Sequence, residues 1–523
     1  MPRYAAVDIG SNSVRMLAAE VDASGQTRVL AEERQVTRLG VSVFQHGRIS
    51  EDAMQFVTHV LAGMAQAYRK LDVFTVRAVA TSAVRDAGNQ HEFLDRASVA
   101  LGTRVETISG QEEARLIHLG VQACWPHPQK RVLIVDVGGG SMELILSDRG
   151  DLAAAYSKPL GAVRLTEVFL KNDPPLPEEL RRVHEYIDEK LAPAVERIGA
   201  RQFDRVIATS ATAAAVVCAV NRIPRSRRDT ADHARATAAQ VRRFFHDVST
   251  QSLAARRKTQ GIGPRRAEII VAGTAAFLRT LELFQAPSLY YSAAGVRDGI
   301  IADLFARGAG RELVTLGRDQ RRTVEDMARR YGISIAHVRK VASLATELFH
   351  QLEPLHRLPP SYGRLLQAAG FLHDIGHFVS DSSHHKHSQY LVANSDMPGF
   401  TDDERRLISL LCRYHRKSMP SPRHPVFENL APDDRRAILL LVPLLRIADS
   451  LDRSHEQRVE SIAVLPRDGS VAVNLRSSTS VDLETWAAER VADQFRQVYN
   501  VPISFVRPAA VRNSAERRSA QAK

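Results

Sequence analysis

The residues best suited to chemistry lie in 133–146, LIVDVGGGSMELIL. A short apolar run ends at Asp136, and Gly138, Gly139 and Gly140 force a tight turn. Ser141 then opens a second apolar stretch that carries Glu143. Glycines let backbone N–H groups approach a ligand closely, so this turn suits phosphate. Asp136 at its mouth suits a Mg²⁺ ion or an attacking water. The same device recurs near the N-terminus. There YAAVDI ends in Asp8, Gly10, Ser11, Asn12 and Ser13 make the turn, and 14–21 leave as a strand. One glycine hairpin is bland. Two strand–Asp–turn–strand units, 128 residues apart, predict related halves facing each other across a phosphate-filled cleft.

A third acid stands apart from both turns. Ser109 with Glu112 three residues on reads as a capping box, which gives Glu112 a structural task. Glu113 falls within the apolar stripe of Leu116, Ile117, Gly120 and Cys124, while Arg115, His118 and Gln122 face the other way. A carboxylate in that stripe must be paired or poised for chemistry, so Glu113 is the chain's best general-base candidate. At 81–86, hydroxyls at a strand-to-helix junction precede Arg85. They form either an anion site or a plain cap with Arg85 paired to Asp86.

The elements that must position these groups follow from pattern. Strands are expected at 27–38, 73–80, 104–108, 205–208 and 288–292, and helices at 50–69, 178–198, 237–251 and 264–283. The basic stretch 221–234 reads as a mobile loop. Alternating strands and helices indicate an α/β region with two halves. Beyond about residue 310 the pattern turns helical, at 324–331, 335–352, 362–378, 402–416 and 432–453. Histidines gather there: His337, His373 beside Asp374, His384, His385, His387 and His415, with Asp449 late. Strands at 459–465, 470–475 and 503–506 with a helix at 483–499 make a small α+β unit. The resulting division is 1–125, 126–308, 309–455 and 456–508, with a disordered basic tail at 509–523.

Composition narrows the class. The chain has 523 residues, 44% hydrophobic and 25% charged, as in ordinary globular proteins. Its three cysteines lie far apart, which gives no disulfide framework and favours a reducing cytoplasm. An acidic residue at position 8 argues against a signal peptide, and the longest apolar run, 437–445, is too short to span a bilayer. No membrane role is expected. A net charge of +12 favours polyanionic partners. Nucleic acid is disfavoured because aromatics are only 6% and no RNA-binding or zinc-finger signature appears, whereas inorganic or nucleotide phosphate chains suit both turns.

Six segments in order resemble the exopolyphosphatase / guanosine pentaphosphate phosphohydrolase (Ppx–GppA) family: DIGSNSVRML at Asp8, ATSAVRDA at Ala80, SGQEEARL at Ser109, DVGGGSMEL at Asp136, PLGAVRL at Pro159 and RDGII at Arg297. The resemblance implies two actin-like (ribonuclease H-like) ATPase-superfold lobes, then an all-α HD-like domain and the small α+β unit. It implies Mg²⁺-dependent hydrolysis of the terminal phosphoanhydride of inorganic polyphosphate, releasing orthophosphate. Guanosine pentaphosphate (pppGpp) is the alternative substrate, and a metal phosphohydrolase centred on the histidines or a non-catalytic polyphosphate or alarmone sensor are further ones. Carried over, Glu113 activates the water, Asp136 and Glu143 hold metal and water, and Asp8 assists. Ser11, Asn12, Ser13, Arg85, Gly138, Gly139, Gly140 and Ser141 bind phosphate oxygens. Ala211 stands where the family usually has glycine, which would restrict backbone approach to a nucleotide. The helical region resembles HD-type phosphohydrolases, so His337, His373, Asp374 and Asp449 would bind Mn²⁺ or Fe²⁺, with His387 and His415 as extra ligands. Arg318, Arg321, Arg322, Arg416 and Lys417 would line a channel for the distal chain, and a homodimer is expected.

Overall fold

A strand that is apolar without alternation needs cover on both faces, and that requirement builds the first half of the chain. The computed structural model describes residues 1–308, 315–467 and 469–507, so the tail expected at 509–523 lies outside the described residues. The chain divides into two units, Met1–Gly310 and Arg311–Lys523.

In the first unit β1 (Arg3–Ile9), β2 (Ser13–Val21), β3 (Thr27–Val36), β4 (Thr75–Ala80) and β5 (Val105–Thr107) form a sheet in the order β3-β2-β1-β4-β5. The second sheet contains β6 (Arg131–Val137), β7 (Met142–Asp148), β8 (Asp151–Lys158), β9 (Arg205–Thr209), β10 (Arg235–Thr237) and β11 (Ser288–Tyr291), ordered β10-β11-β9-β6-β7-β8. Apart from β10 the two orders are equivalent. Each has an antiparallel three-strand meander whose first strand then pairs in parallel with a later one. This duplication is the actin-like fold. Ala5, Val7 and Ile9 face the helix Glu51–Arg69 through Met54, Val57 and Leu61, while Leu133, Val135 and Val137 pack in one core with Val183, Ile187 and Leu191 of the helix Pro177–Ile198.

The helix Gly110–Cys124 lies between the sheets. Leu116 packs with Tyr4, Ala6, Leu17 and Val79 of the first sheet, and Ala114, Ile117 and Val121 pack with Val132, Ile134, Ile145 and Ile207 of the second. The helix Val296–Ala306 crosses it so closely that a methyl on Gly299 would lie 1.7 Å from the Leu116 carbonyl oxygen. Burial therefore extends round the helix. Arg115 and His118, expected to face away from the apolar stripe, are each only 3% exposed, whereas Cys124 is exposed. Ser109 caps the helix by accepting from Glu112 N, and the Glu112 carboxylate is committed to an ion network. Arg115 Nε reaches it at 2.8 Å and Arg77 at 3.1 Å, and both arginines also hold Asp303 at 2.9 Å. The stretch expected as a mobile loop contains a 3₁₀ helix, Arg225–Ala231, whose last residue, Ala231, is buried.

The second unit packs the helices Arg318–Arg330, Ile335–Gln351, Ser361–Leu372, His384–Asn394, Asp402–Tyr414 and Pro432–Ser450 around one core that includes Val341, Leu344, Leu366, Ile408 and Leu441. The helix expected over 362–378 ends at Leu372 and resumes as the 3₁₀ turn Ile375–Phe378. The break follows from crowding: a methyl on Gly376 would lie 2.0 Å from the His384 carbonyl oxygen, and Ser388 Oγ accepts from Gly376 N at 2.8 Å. β12 (Ser461–Arg467), β13 (Ser470–Arg476) and β14 (Ile503–Val506) form the small sheet, and the expected helix 483–499 is two, Asp482–Glu489 and Ala492–Tyr499. Among the described residues no helix is long and apolar enough to cross a membrane.

Candidate active site

The two turns are built alike. Gly10 N donates to Ser13 O at 3.1 Å and Gly138 N to Ser141 O at 3.0 Å. Asn12 O accepts from Thr37 and Arg38 N, and Gly139 O accepts from Val163 and Arg164 N, so carbonyls on both turns are tied back into their own lobes. The turns meet face to face. A methyl on Gly139 would lie 2.9 Å from Ser11 Cβ, and one on Gly140 2.7 Å from Ser11 Oγ. They line a cleft of about 410 Å³ together with Asp8, Asn12, Ser13, Glu113, Asp136, Gly138 and Ser141.

The acids crowd one another. Glu113 is 8% exposed, and its Oε2 has no hydrogen-bond partner among the described residues. Burial, with the nearby Glu143, Asp8 and Asp136 charges, raises its carboxyl well above the ordinary range against the pull of Arg85. Arg85 Nη1 lies 3.8 Å from Glu113 Oε2 and donates to Ile108 O at 2.7 Å, while Asp86 pairs with Arg164. The cap reading of Arg85 with Asp86 is thus replaced by a cation beside Glu113. Glu143 is fully buried behind the cleft, where Ser157 Oγ donates to one oxygen at 2.8 Å and the other has no partner among the described residues. Burial and Asp136 push it up to about 8. Burial also raises Asp136 and Asp8, opposed by the Thr209 hydroxyl at the first and by Arg15 and Arg297 at the second.

Such a set needs a cation. Hard carboxylate oxygens, two of them orphaned, beside a loop suited to phosphate fit Mg²⁺. The pairing register shows how the lobes divide: Asp136 sits opposite Glu143, and at the equivalent place Asp8 sits opposite Arg15. One lobe offers two acids where the other offers an acid and a base.

Arginines extend the cleft in a way sequence spacing does not reveal, because they come from separate segments. A second cavity of about 380 Å³ shares Asn12, Arg34, Ala211, Arg228 and Arg266 with the cleft and adds Arg225 and Arg265. Burial and the neighbouring Arg15 and Arg228 charges pull Arg34 and Arg266 each down to about 9. Its floor is apolar and small, with Ala214, Ala215 and Cys218. Ala211 is helical floor as well, and the left-handed backbone lies one residue earlier, at Ser210 with φ +88°.

In the second unit His337, His373 and Asp449 converge. Asp449 Oδ1 lies 3.7 Å from His337 Nε2 and 3.4 Å from His373 Nε2, both buried nitrogens without a hydrogen-bond partner among the described residues. Asp374 borders the same group. Burial pulls His373 down, but Asp374 and Asp449 outweigh it and hold it up at about 9, the mark of a site short of positive charge. Burial pushes His415 down to about 3. Arg321 and Arg322, expected in a channel, pair with Glu325 and Asp326 of their own helix.

The pattern of the Ppx/GppA phosphatase family matches residues 17–307, and that of Ppx/GppA phosphatase domain III matches 320–490. A protein of Vibrio vulnificus named guanosine-5'-triphosphate,3'-diphosphate pyrophosphatase is 27% identical over 470 residues, 90% of each chain. One of the same name from Aeromonas hydrophila is 28% identical, covering 86% of this chain and 87% of its own. Among solved structures, the Aquifex aeolicus member of the Ppx/GppA protein family shares 30% identity at a TM-score of 0.51, over 58% of this chain and 98% of its own. An exopolyphosphatase from Cytophaga hutchinsonii has the same fold at 24% identity and a TM-score of 0.54, over 58% of this chain and 98% of its own. With motifs, lobes and domain III all accounted for, the chain belongs to the Ppx/GppA phosphatase family.

Proposed function

We propose that the cleft removes the terminal phosphate of guanosine pentaphosphate. The observation that carries this reading is the buried Glu113 carboxylate, its Oε2 without a hydrogen-bond partner among the described residues, set between two facing phosphate turns. The water oxygen bonds to the terminal phosphorus, Glu113 takes a proton from that water, and the bridging P–O bond breaks. Orthophosphate leaves, and the shortened nucleotide keeps the bridging oxygen. Asp136 and Glu143 would hold Mg²⁺, which supplies neutralising charge to the anhydride. The turn residues and Arg85 orient the phosphate oxygens.

Two things favour a nucleotide over a bare phosphate chain. Two relatives that match over 86% to 90% of this chain, domain III included, are named guanosine-5'-triphosphate,3'-diphosphate pyrophosphatase. The second cavity also combines an apolar floor with an arginine rim, which suits a base and its phosphates. Inorganic polyphosphate is the second reading, supported by the same arginines. Orthophosphate release from pppGpp and from long polyphosphate, each with Mg²⁺, tests the choice. The expected result is a higher kcat/KM for pppGpp; a higher value for polyphosphate would reverse the assignment. Arg266→Ala should raise KM for pppGpp more than it lowers kcat, because Arg266 meets the distal part of the substrate rather than the reacting phosphorus.

A further inference from the structure

Of the six shared segments, PLGAVRL at Pro159 is the one with no residue in the cleft lining. It lies directly behind the second phosphate turn: a methyl on Gly161 would sit 2.4 Å from the Gly139 carbonyl oxygen. The helix Ala162–Phe169 starts there and carries Arg164 in its first turn. Arg164 N donates to Gly139 O at 3.1 Å, and its Nε donates to Gly140 O at 2.8 Å. The same guanidinium reaches the other lobe. Its Nη2 donates to Ser82 Oγ at 3.1 Å and pairs with Asp86. Its Cζ lies 4.1 Å from the centre of the Phe44 ring, which packs against the cores of both lobes.

What it grips in the first lobe is the helix Ser82–Asp86, whose five residues are too few to hold a helix in place unaided. Ser11 Oγ, on the first phosphate turn, accepts from Ala83 N at 3.2 Å. Each phosphate turn thus holds this short helix, one through Ser11 and the other through Arg164. Arg85 projects from it to stand 3.8 Å from Glu113 Oε2. Two further links join the lobes on this side, Gln45 to Glu167 and Arg38 to Glu268, each at 2.5 Å. Both lie at the surface, where water and salt weaken such pairs. The Arg164 side chain is only 21% exposed. Its planar fork serves a carbonyl, a hydroxyl and a carboxylate from two lobes at once, which the single point charge of a lysine does not.

We propose that Arg164 is a positioning residue for the hydrolysis, clamping the helix that carries Arg85 against the second phosphate turn. The proposal rests on the cleft reading above. Arg85 is tied to Ile108 O within the first lobe, which fixes it toward Glu113 but not toward the other lobe. Arg164 supplies that second constraint, so the Arg85 charge and the N–H groups of 138–141 meet the same phosphate in register. A displacement of about 1 Å at such a group costs about 100-fold in rate, so a side chain outside the cleft still governs the reacting phosphorus. Without the clamp each lobe keeps its own core and folds, while the two halves of the phosphate site lose their fixed spacing.

The test is orthophosphate release by the full-length chain from whichever of pppGpp and polyphosphate it hydrolyses faster. Arg164→Ala should lower kcat by about 10- to 100-fold, and Arg164→Lys should not restore it. In an Arg85→Ala background the same substitution should cost less than about 3-fold more, because the two arginines act through one contact. Backbone hydrogen exchange at 82–86 should quicken in Arg164→Ala. If that variant does not fold, Ser82→Ala with Asp86→Asn cuts the tie from the first lobe and carries the same expectations. Losses that multiply in full in the double variant would overturn the proposal and leave Arg164 a structural tie. So would faster exchange with kcat unchanged. Full phosphate release in Glu113→Gln would overturn the cleft reading and this proposal together, whereas an inert Glu113→Gln beside a fully active Arg164→Ala overturns the proposal alone.

Discussion

Glu113→Gln keeps the side chain's size and removes its basicity. The expected outcome is a fall in kcat of about 10²- to 10⁴-fold with substrate binding retained, read by phosphate release and by direct titration. The raised carboxyls give a second prediction. Glu143, at about 8 in the folded protein, and Glu113, raised well above its ordinary value by burial, bind protons that the unfolded chain has lost. Stability without cation therefore falls as pH rises from the unfolded carboxylate range toward 8. Mg²⁺ held as proposed above would bind the ionised acids, so the rise in Tm that it produces should be larger at pH 8.5 than at pH 6. An equal rise at both would mean that these acids are not its ligands. The turns were legible in sequence because glycine and a strand-ending Asp are local signals. Arg15, Arg34, Arg228 and Arg266 were not, since only folding brings their separate segments together.

The helix that carries Glu113 is where packing and function meet. Gly299→Ala would drive a methyl into the Leu116 carbonyl and must push one helix away, at a cost of about 1 to 3 kcal/mol. Denaturant unfolding should show that loss, and kcat should fall with it because Glu113 rides on the displaced helix. Asp303→Ala removes a buried acid that Arg77, Arg115 and Arg307 all hold, leaving Glu112 to face Arg77 and Arg115, and should cost about 3 to 5 kcal/mol. A wheel reading of 110–124 assumes one dry face and one wet face. It placed Glu113 correctly in the buried stripe but misjudged Arg115 and His118, because sheets cover this helix on two sides. The helix break at 373–374 escaped the sequence for a related reason: Gly376 is pressed against the His384 carbonyl and Ser388 of the next helix, a packing contact that no local pattern shows.

At the scale of the whole molecule, the Aquifex aeolicus structure is matched over 98% of its length by only 58% of this chain. Residues 1–308 expressed alone should therefore fold and release orthophosphate; an insoluble or inert product would show that the first unit depends on the second. The duplicated topology was visible in sequence as two similar turns, whereas the strand order that makes the lobes equivalent rests on long-range pairing. That duplication is imperfect at one register, where Glu143 faces Asp136 and Arg15 faces Asp8. Two mirror-like halves would let a linear anion lie in the groove either way round. Opposite charges at the matched position would break the tie: under the proposed function, the end to be cut would settle toward the acids and their cation, and the tail would trail past the guanidinium. Such a groove would accept its guest in a single direction.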